Sequence, residues 1–524
     1  MPQLDSKRLQ ALSLPKSGND KANKRPYLEL DSASWFRIIV FLLSMSAYGL
    51  EFLPALLVVF FMLIKSFVND RHEFIVQLTL FIGGYGLYYS DPLIVRNDHL
   101  IFIVVLILAL IYKKPPIVTK TFIIIISFLL AFIVIASFSE FSISSQLMTM
   151  RHYFYFIYFY IPILAFNNQE FDFRKYMEWI LGYTLVLSCF YILDSFVICG
   201  HIFIPRVFDF ESVFSTWDNM YIHWFKIPFR RIYPPGLYIS ALAIYGIAVM
   251  FRLRKWQLAL LLLGIACTKT ITFIVGLILT YSFLRGVLKH IFKYTLIVAL
   301  ALFSLYFVDK WVEENLNIKA HDFESPMRIK STIDQIIDLV NADTIDEYAK
   351  FGSGRMAQAI PKFELMYKYD REWTGLGFLD RSKTTNTRYI IDNEFFGNPD
   401  EKTEVASGVE IAYAQTILNT GYIGLVVQLL VYLLLAYRIR RLRNFRYFQS
   451  VLFAILFFGL NGICSINNMD GLLLLSLSYA VVILTNRDNL PGFNPQLTFR
   501  SNRKSLHELK NRNDHTTTSL KKPA

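Results

Sequence analysis

Apolar runs recur along this chain from about residue 36 to residue 485. A soluble protein would hide such residues in cores separated by polar linkers. With 54% hydrophobic residues, 47 Phe and 30 Tyr among 524, the class that fits is an all-α polytopic membrane protein. The runs read as spans at about 36–49, 53–67, 74–89, 99–112, 121–138, 152–166, 177–199 and 232–251. After the stretch 257–284 come 291–308, 420–437, 447–465 and 470–485. The first two are short and separated by Glu51 and Pro54, so one broken helix is an alternative. Residues 1–35 and 486–524 read as polar, basic tails, and the N-terminus has no cleavable signal pattern.

The stretch 257–284 is longer than the roughly 20 residues one span needs and shorter than two full spans, and it carries Lys269 near its middle. Loop charges decide how to read it. The short basic loops "KKPPIVTK" (113–120), "RLRK" (252–255) and "RIRRLRNFR" (438–446) belong on the cytoplasmic side. A single span over 257–284 would put "RGVLKHIFK" and "RIRRLRNFR" outside and the acidic segment 309–408 inside. Two short helices, about 257–266 and 270–284, restore every placement. The expectation is a hairpin whose turn, "CTKT", lies at or below the outer surface, about 12–14 transmembrane helices in all, and both termini in the cytoplasm.

The net charge of +12 is unevenly spread. Residues 309–408 hold 13 Lys and Arg against 19 Asp and Glu, a net −6 that leaves about +18 elsewhere. Basic tails beside spans face anionic lipid, so the charge points to membrane lipid and not to nucleic acid. Cys189, Cys199, Cys267 and Cys464 lie in or at the ends of apolar runs without ligand spacing, so they read as packing residues, with neither disulfide nor metal implied.

With this topology, cations at the outer face break the pattern: Arg96, Arg151, Arg206, Lys226, Arg230, Arg231 and Lys269, with Arg355 in the acidic segment. Arg96, Arg206 and Lys226 read as snorkelling or ordinary loop charges. Arg151 and Arg231 sit at the mouths of spans, and Lys269 lies between two short helices. For these three, a loop charge and a ligand-binding role both stand. Converging Arg and Lys suit a phosphate or pyrophosphate, and the helix after Lys269 presents an N-terminal dipole. Asp194 reads as a hydrogen-bonded packing residue or a proton relay. His152 and His201 read as interfacial.

Residues 309–408 carry helical patterning in "MRIKSTIDQIIDLV" and "GRMAQAIPKFELMYKY" and a glycine turn in "WTGLGFLD", as in a folded, mainly helical outer-face subdomain. There is no nucleotide-binding glycine loop, zinc motif or Ser/His/Asp set in it. The run "GSGRMAQAIPKFELMYKYDREWTGLGF", Gly352 to Phe378, combines a Ser-Gly-Arg start, a helix and a Gly-x-Gly turn. "EIAYAQTILNTGYIGL", Glu410 to Leu425, is a helix ending in Gly-x-x-Gly at Gly421 and Gly424. With "CTKT" and "RRIYPPGLYIS", over about residues 140–485, these motifs resemble the bacterial O-antigen polymerase and ligase superfamily. In the ligase branch the position held here by Glu410 is usually histidine, so the resemblance leans toward a polymerase. The other reading of Glu410 is a carboxylate stabilised at a helix N-terminus.

The resemblance implies a bacterial inner-membrane glycosyltransferase with no metal or cofactor. Its donor and acceptor would be polyprenyl-pyrophosphate-linked oligosaccharides, joined at the outer face by an inverting displacement. Arg231, Lys269 and Arg355 would neutralise the departing pyrophosphate, with Arg151 and Arg230 as further binding candidates, and Glu410 would be the general base for the acceptor hydroxyl. A chain-length regulator is an implied possible partner. The competing readings are a ligase that passes the glycan to lipid A core or another acceptor, and a transporter of the lipid-linked glycan. Domain bounds follow: 1–35 tail, 36–308 membrane helices with the hairpin 257–284, 309–408 outer subdomain, 409–485 membrane helices, 486–524 tail.

Overall fold

The computed structural model describes residues 25–49, 52, 54–84, 107, 115–139, 143–167, 169–193, 220–222, 227–229, 235–268, 270–287, 359, 363–364, 366–378, 390–391, 403–404, 411–460 and 469–490. The described structure is mostly helical. The helices are α1 (Ser32–Gly49), α2 (Pro54–Asn69), α3 (Arg71–Gly84), α4 (Pro116–Ser137), α5 (Ile143–Met150), α6 (Tyr160–Ala165) and α7 (Phe173–Ile192). They continue with α8 (Ser240–Tyr245), α9 (Lys255–Ala266), α10 (Ile271–Leu284), α11 (Ala412–Ile439), α12 (Phe445–Phe458) and α13 (Met469–Thr485). A nine-residue 3₁₀ stretch, Arg151–Phe159, joins α5 to α6. Two small antiparallel ribbons, Met220–Ile222 with Ile227–Phe229 and Ile390–Ile391 with Thr403–Glu404, complete the described elements.

Among the described residues, two helices, Pro116–Ser137 and Ala412–Ile439, are long and apolar enough to cross a membrane, and several shorter apolar helices accompany them. Their outward faces are as apolar as their packed ones. Ile123, Leu130 and Val134 on α4, and Val426, Leu430 and Leu433 on α11, are all more than half exposed. A water-facing helix would carry charge on these stripes.

Inside, polar groups are matched in pairs. The Tyr183 hydroxyl accepts from Gln77 Nε2 at 2.9 Å, Thr79 meets Tyr158 at 3.0 Å, Thr121 meets Tyr479 at 2.7 Å, and Tyr176 meets Tyr447 at 3.1 Å. Each joins two different helices, so tyrosine supplies both bulk and a directional contact in an apolar interior.

Arginines gather at one end of the helices, where several cap carbonyls that helix termini leave open. Arg487 donates to the carbonyls of Phe166, Asn167 and Gln169, and Arg71 to that of Ala165. Asn486 exchanges hydrogen bonds with the backbone of Arg443 at 2.8 and 2.9 Å. Arg25 Nη1 donates to Ile247 and Ala248 at 2.9 and 2.8 Å, closing the π-helical turn Gly246–Met250. Residues 26–28 pair with Arg252 through Leu28 N to Arg252 O (3.1 Å) and Arg252 N to Pro26 O (2.8 Å). The basic sequences 252–255 and 438–446 both lie at this end, the first tied to residues 26–28 and the second to Asn486.

The stretch 257–284 is two helices. Arg252, just before α9, and Arg285, just after α10, both act electrostatically on Arg25, so the chain leaves the arginine end and returns to it. The reversal at Cys267–Thr270 is buried, with Cys267, Thr268 and Thr270 no more than 5% exposed. Its hydroxyls satisfy its own backbone: Thr268 Oγ1 donates to Ile265 O at 2.7 Å, and Thr270 Oγ1 to Thr268 O at 3.0 Å. The two helices lean on different neighbours. α9 packs on α7, whereas α10 packs on α12, with Phe273 against Phe458 at 5.0 Å and Phe283 stacked on Phe453 at 5.7 Å.

Between α2 and α3, Asp70 ties three elements together. Its Oδ2 accepts from Trp179 Nε1 at 2.9 Å and Lys175 Nζ at 3.0 Å, and its Oδ1 from the His72 backbone at 3.2 Å. Burial pushes this carboxyl up, but the donors from His72, Lys175 and Trp179 outweigh it and hold it well below the usual carboxylate range. The lowered pKa gives stability that is present above the unfolded value near ~3.9 and is lost as pH falls toward the folded one. Asp70→Ala is therefore expected to cost about 1–3 kcal/mol at neutral pH. Thermal melting in detergent should show the gap from wild type narrowing below about pH 4.

Candidate functional site

At the end opposite the arginines, α11 is broken. Gly421 has φ 66° and ψ −174°, outside the helical region and open only to glycine. In an unbroken helix the amides of Tyr422 and Ile423 would bond the carbonyls of Leu418 and Asn419. Here all four groups turn to the segment 372–377. Tyr422 N donates to Glu372 O at 2.9 Å and Ile423 N to Trp373 O at 3.3 Å. In return, Leu376 N donates to Leu418 O at 2.7 Å and Gly377 N to Asn419 O at 3.1 Å. The helix opens by one turn, and the Gly-x-Gly turn fills the gap bond for bond.

Such an exchange needs two backbones in contact, and glycine allows it. A Cβ on Gly421 would lie 2.1 Å from Trp373 O, and one on Gly375 (φ 71°) would lie 2.6 Å from the Asn419, Thr420 and Gly421 backbone. Gly377 sits against Ser139, whose Oγ donates to Leu376 O at 3.0 Å. Gln146 Oε1 accepts from Phe378 N at 2.5 Å, and Arg371 Nη1 donates to Phe138 O at 2.9 Å. The turn is thereby tied to the top of α4 and to α5 as well as to α11.

Three aromatic residues stand on this joint. Trp373 is 61% exposed and Tyr367 is 51% exposed. The Tyr367 and Tyr422 hydroxyls are 2.6 Å apart, and the rings of Trp373 and Tyr422 meet edge to face at 6.1 Å. Exposed aromatics locked on a rigid backbone joint form a surface with apolar faces and polar edges.

Arg151 opens the 3₁₀ stretch at the same end and is half-buried, with its Nη1 atom buried. Two residues on, the buried Tyr153 ring packs on Phe378 at 6.0 Å, so Arg151 lies beside the end of the glycine turn. The His152 ring is 4.4 Å from that of Tyr153, a packing position. The 3₁₀ stretch runs alongside α13, joined by Ser476 Oγ to Phe156 O at 2.9 Å. Counting up from that bond brings Arg151 and the buried Asp470 to a similar depth, with a carboxyl group on the adjoining element.

Of the residues the sequence nominates, Arg151 is therefore at this end. Arg230, Arg231, Lys269, Arg355 and Glu410 lie outside the described residues, as do Arg96, Asp194, His201, Arg206 and Lys226. Their nearest described neighbours are informative for two of them. Thr268 and Thr270, flanking Lys269, form the buried reversal between α9 and α10, and Ala412, two residues after Glu410, donates its amide to Gly459 O at 2.9 Å. Sequence reasoning missed Asp470, Tyr367, Trp373 and Tyr422. The signal for Trp373 was its place inside the glycine turn; Asp470 opens an apolar run and looks like a boundary residue. Comparison with protein-family models finds no match to the chain, and comparison with curated proteins finds none either.

The joint makes a sharp prediction. Gly421→Ala combines a forbidden backbone angle with a clash against the Trp373 carbonyl, and should cost roughly 2–4 kcal/mol. Gly286→Ala, with φ 71° and nothing within 4 Å of an added Cβ, should cost only about 1–2 kcal/mol. Limited trypsin digestion should show early cutting at Arg371 in the first variant and not in the second.

Proposed function

We propose that this chain is a polytopic membrane glycosyltransferase that polymerises polyprenyl-pyrophosphate-linked oligosaccharide repeat units at the outer face of a bacterial inner membrane. The observation that carries the reading is the stapled joint between residues 372–377 and 418–423 with its exposed aromatic surface. An aromatic face suits the C–H side of a sugar ring, while the tyrosine hydroxyls suit its hydroxyl edge. Membrane residence is supported by the apolar outward stripes of α4 and α11 and by the arginines gathered at the other end, which on this reading is cytoplasmic.

The chemistry follows from the substrate. The acceptor hydroxyl loses a proton to Glu410 as its oxygen attacks the anomeric carbon of the donor, and the bond to the pyrophosphate oxygen breaks. Charge grows on the leaving pyrophosphate, and Arg231, Lys269 and Arg355 neutralise it, with Arg151 and Arg230 in support. A buried reversal suits this task. Non-helical backbone at membrane depth is tolerated where it is packed in protein or lines a cavity, and the threonines of the 267–270 turn already satisfy its backbone.

The test is the surface glycan ladder in a strain carrying only the variant protein. Glu410→Gln and Arg355→Ala are expected to leave single repeats. Trp373→Ala is expected to shorten the ladder through a loss of about 2 kcal/mol in acceptor binding, on the order of 30-fold. Long chains in all three variants at normal protein level would sink the assignment. Long glycans stranded on the carrier lipid after deletion of the protein would indicate a ligase. Bond formation by purified protein without an energy source would exclude a transporter.

A further inference from the structure

The hairpin α9–α10 leaves a groove on the arginine end that the transferase chemistry does not use. Because α9 leans on α7 and α10 on α12, the two helices splay, and a groove of about 640 Å³ opens between them. Leu258, Leu262 and Ile265 of α9 face Ile274, Leu277 and Ile278 of α10 across it. Leu262 and Ile278 are each 57% exposed, so the groove is open to its surroundings. With 12 residues, α9 is roughly 18 Å long, close to the roughly 15 Å of one leaflet of hydrocarbon.

The mouth of the groove differs from its walls. Arg25, Tyr27, Arg252 and Tyr281 line it there, and Arg285 follows the last turn of α10. Burial, then the positive charges of Arg285 and Arg252, pull the Arg25 guanidinium below its ordinary value, and among the described residues no carboxylate acts on it. Glu29, the acid on the same arm, is paired with Arg254 at 3.7 Å. Three guanidiniums therefore act on one another at the head of an apolar slot, with no acid among the described residues there. Like charges gathered this way call for an anion, and guanidinium forks match phosphate oxygens.

We propose that this groove is a binding site for one anionic phospholipid of the cytoplasmic leaflet, with an acyl chain between α9 and α10 and the headgroup phosphate on Arg25, Arg252 and Arg285. The proposal rests on the membrane placement above and not on the transferase chemistry. A bound lipid closes the splayed hairpin from the side and so steadies the 267–270 reversal at its far end.

The experiment compares the full chain, purified in a mild non-ionic detergent, with added phosphatidylglycerol, phosphatidylcholine of the same acyl chains, or inorganic phosphate. Phosphatidylglycerol is expected to raise Tm by roughly 3 °C at saturation, and the other two by much less. Arg252→Gln/Arg285→Gln should abolish the preference while Arg25 keeps its hold on the 247 and 248 carbonyls. Leu262→Trp should abolish the response to either lipid by filling the groove. Native mass spectrometry of the wild type gives a measure independent of variant folding: phosphatidylglycerol retained at one per chain, at least tenfold over phosphatidylcholine. Equal retention of the two lipids, an unchanged preference in the arginine double variant, or the full effect from phosphate alone would each overturn the proposal. So would a lipid-free dimer, or a wild type whose Tm responds to neither lipid while Leu262→Trp lowers it, which would mean that another copy or the chain itself fills the groove. A chain that stays soluble and monodisperse without detergent would instead remove the membrane placement.

Discussion

The exchange of four backbone hydrogen bonds between residues 372–377 and 418–423 is the constraint on which the rest of the candidate site depends. A helix broken in an apolar setting leaves donors and acceptors that water does not reach, and each one costs free energy. The break at Gly421 is tolerated because an outside segment supplies the missing partners in matching register. The dependence runs both ways. Residues 371–378 are held both by the carbonyls and amides that α11 releases and by the buried side chains of Leu376 and Phe378. A kink made by proline would free such groups without specifying what should fill the gap. Here Gly375 and Gly421 specify it, because only residues without a side chain let the two backbones approach so closely, while Gly377 makes room for the Ser139 side chain.

The other end follows a different logic. Its arginines act first as caps: Arg25, Arg71 and Arg487 each serve carbonyls where a helix or π turn finishes. Charge used this way orders the chain as well as orienting it, since one guanidinium can close a helix end from a distant part of the sequence. Arg25 shows the consequence for function. Its two carbonyl bonds fix it beside Arg252 and Arg285, so the capping contact also assembles a cationic mouth over the apolar groove. The two ends of the molecule thus differ in chemistry, one presenting aromatic rings on a glycine joint and the other guanidiniums on helix ends.

Legibility in the sequence tracked how local each signal was. The run 121–138 announced a helix through unbroken hydropathy, and α4 extends it only to Pro116, a residue suited to a first turn. The reversal within 257–284 was legible through the balance of lysine and arginine in distant loops. The helix expected over Glu410–Leu425 and the span expected from residue 420 form one element, Ala412–Ile439, although "AYAQTILNT" is too polar to register as part of an apolar run. Its polar residues are used locally: Thr416 and Thr420 bond carbonyls one turn back, and Gln415 bonds Asn419. The glycine turn was visible as a turn, but its partner was not, since hydrogen bonds between residues some 45 apart leave no local periodicity. Asp470 was missed for the same reason: burial comes from neighbours that hydropathy does not name.

By itself, the sequence determined the helical class, the order of the described apolar segments and the break within 257–284. These are properties of single segments, set by hydrophobic transfer and by charge, and they require no knowledge of what packs where. Only the tertiary structure decided that the glycine turn enters the broken helix, that Tyr367, Trp373 and Tyr422 come together on that joint, and that α9 and α10 part to leave a groove under three arginines. Those outcomes depend on which backbone groups and side chains distant segments offer one another. That information arises only when the helices meet.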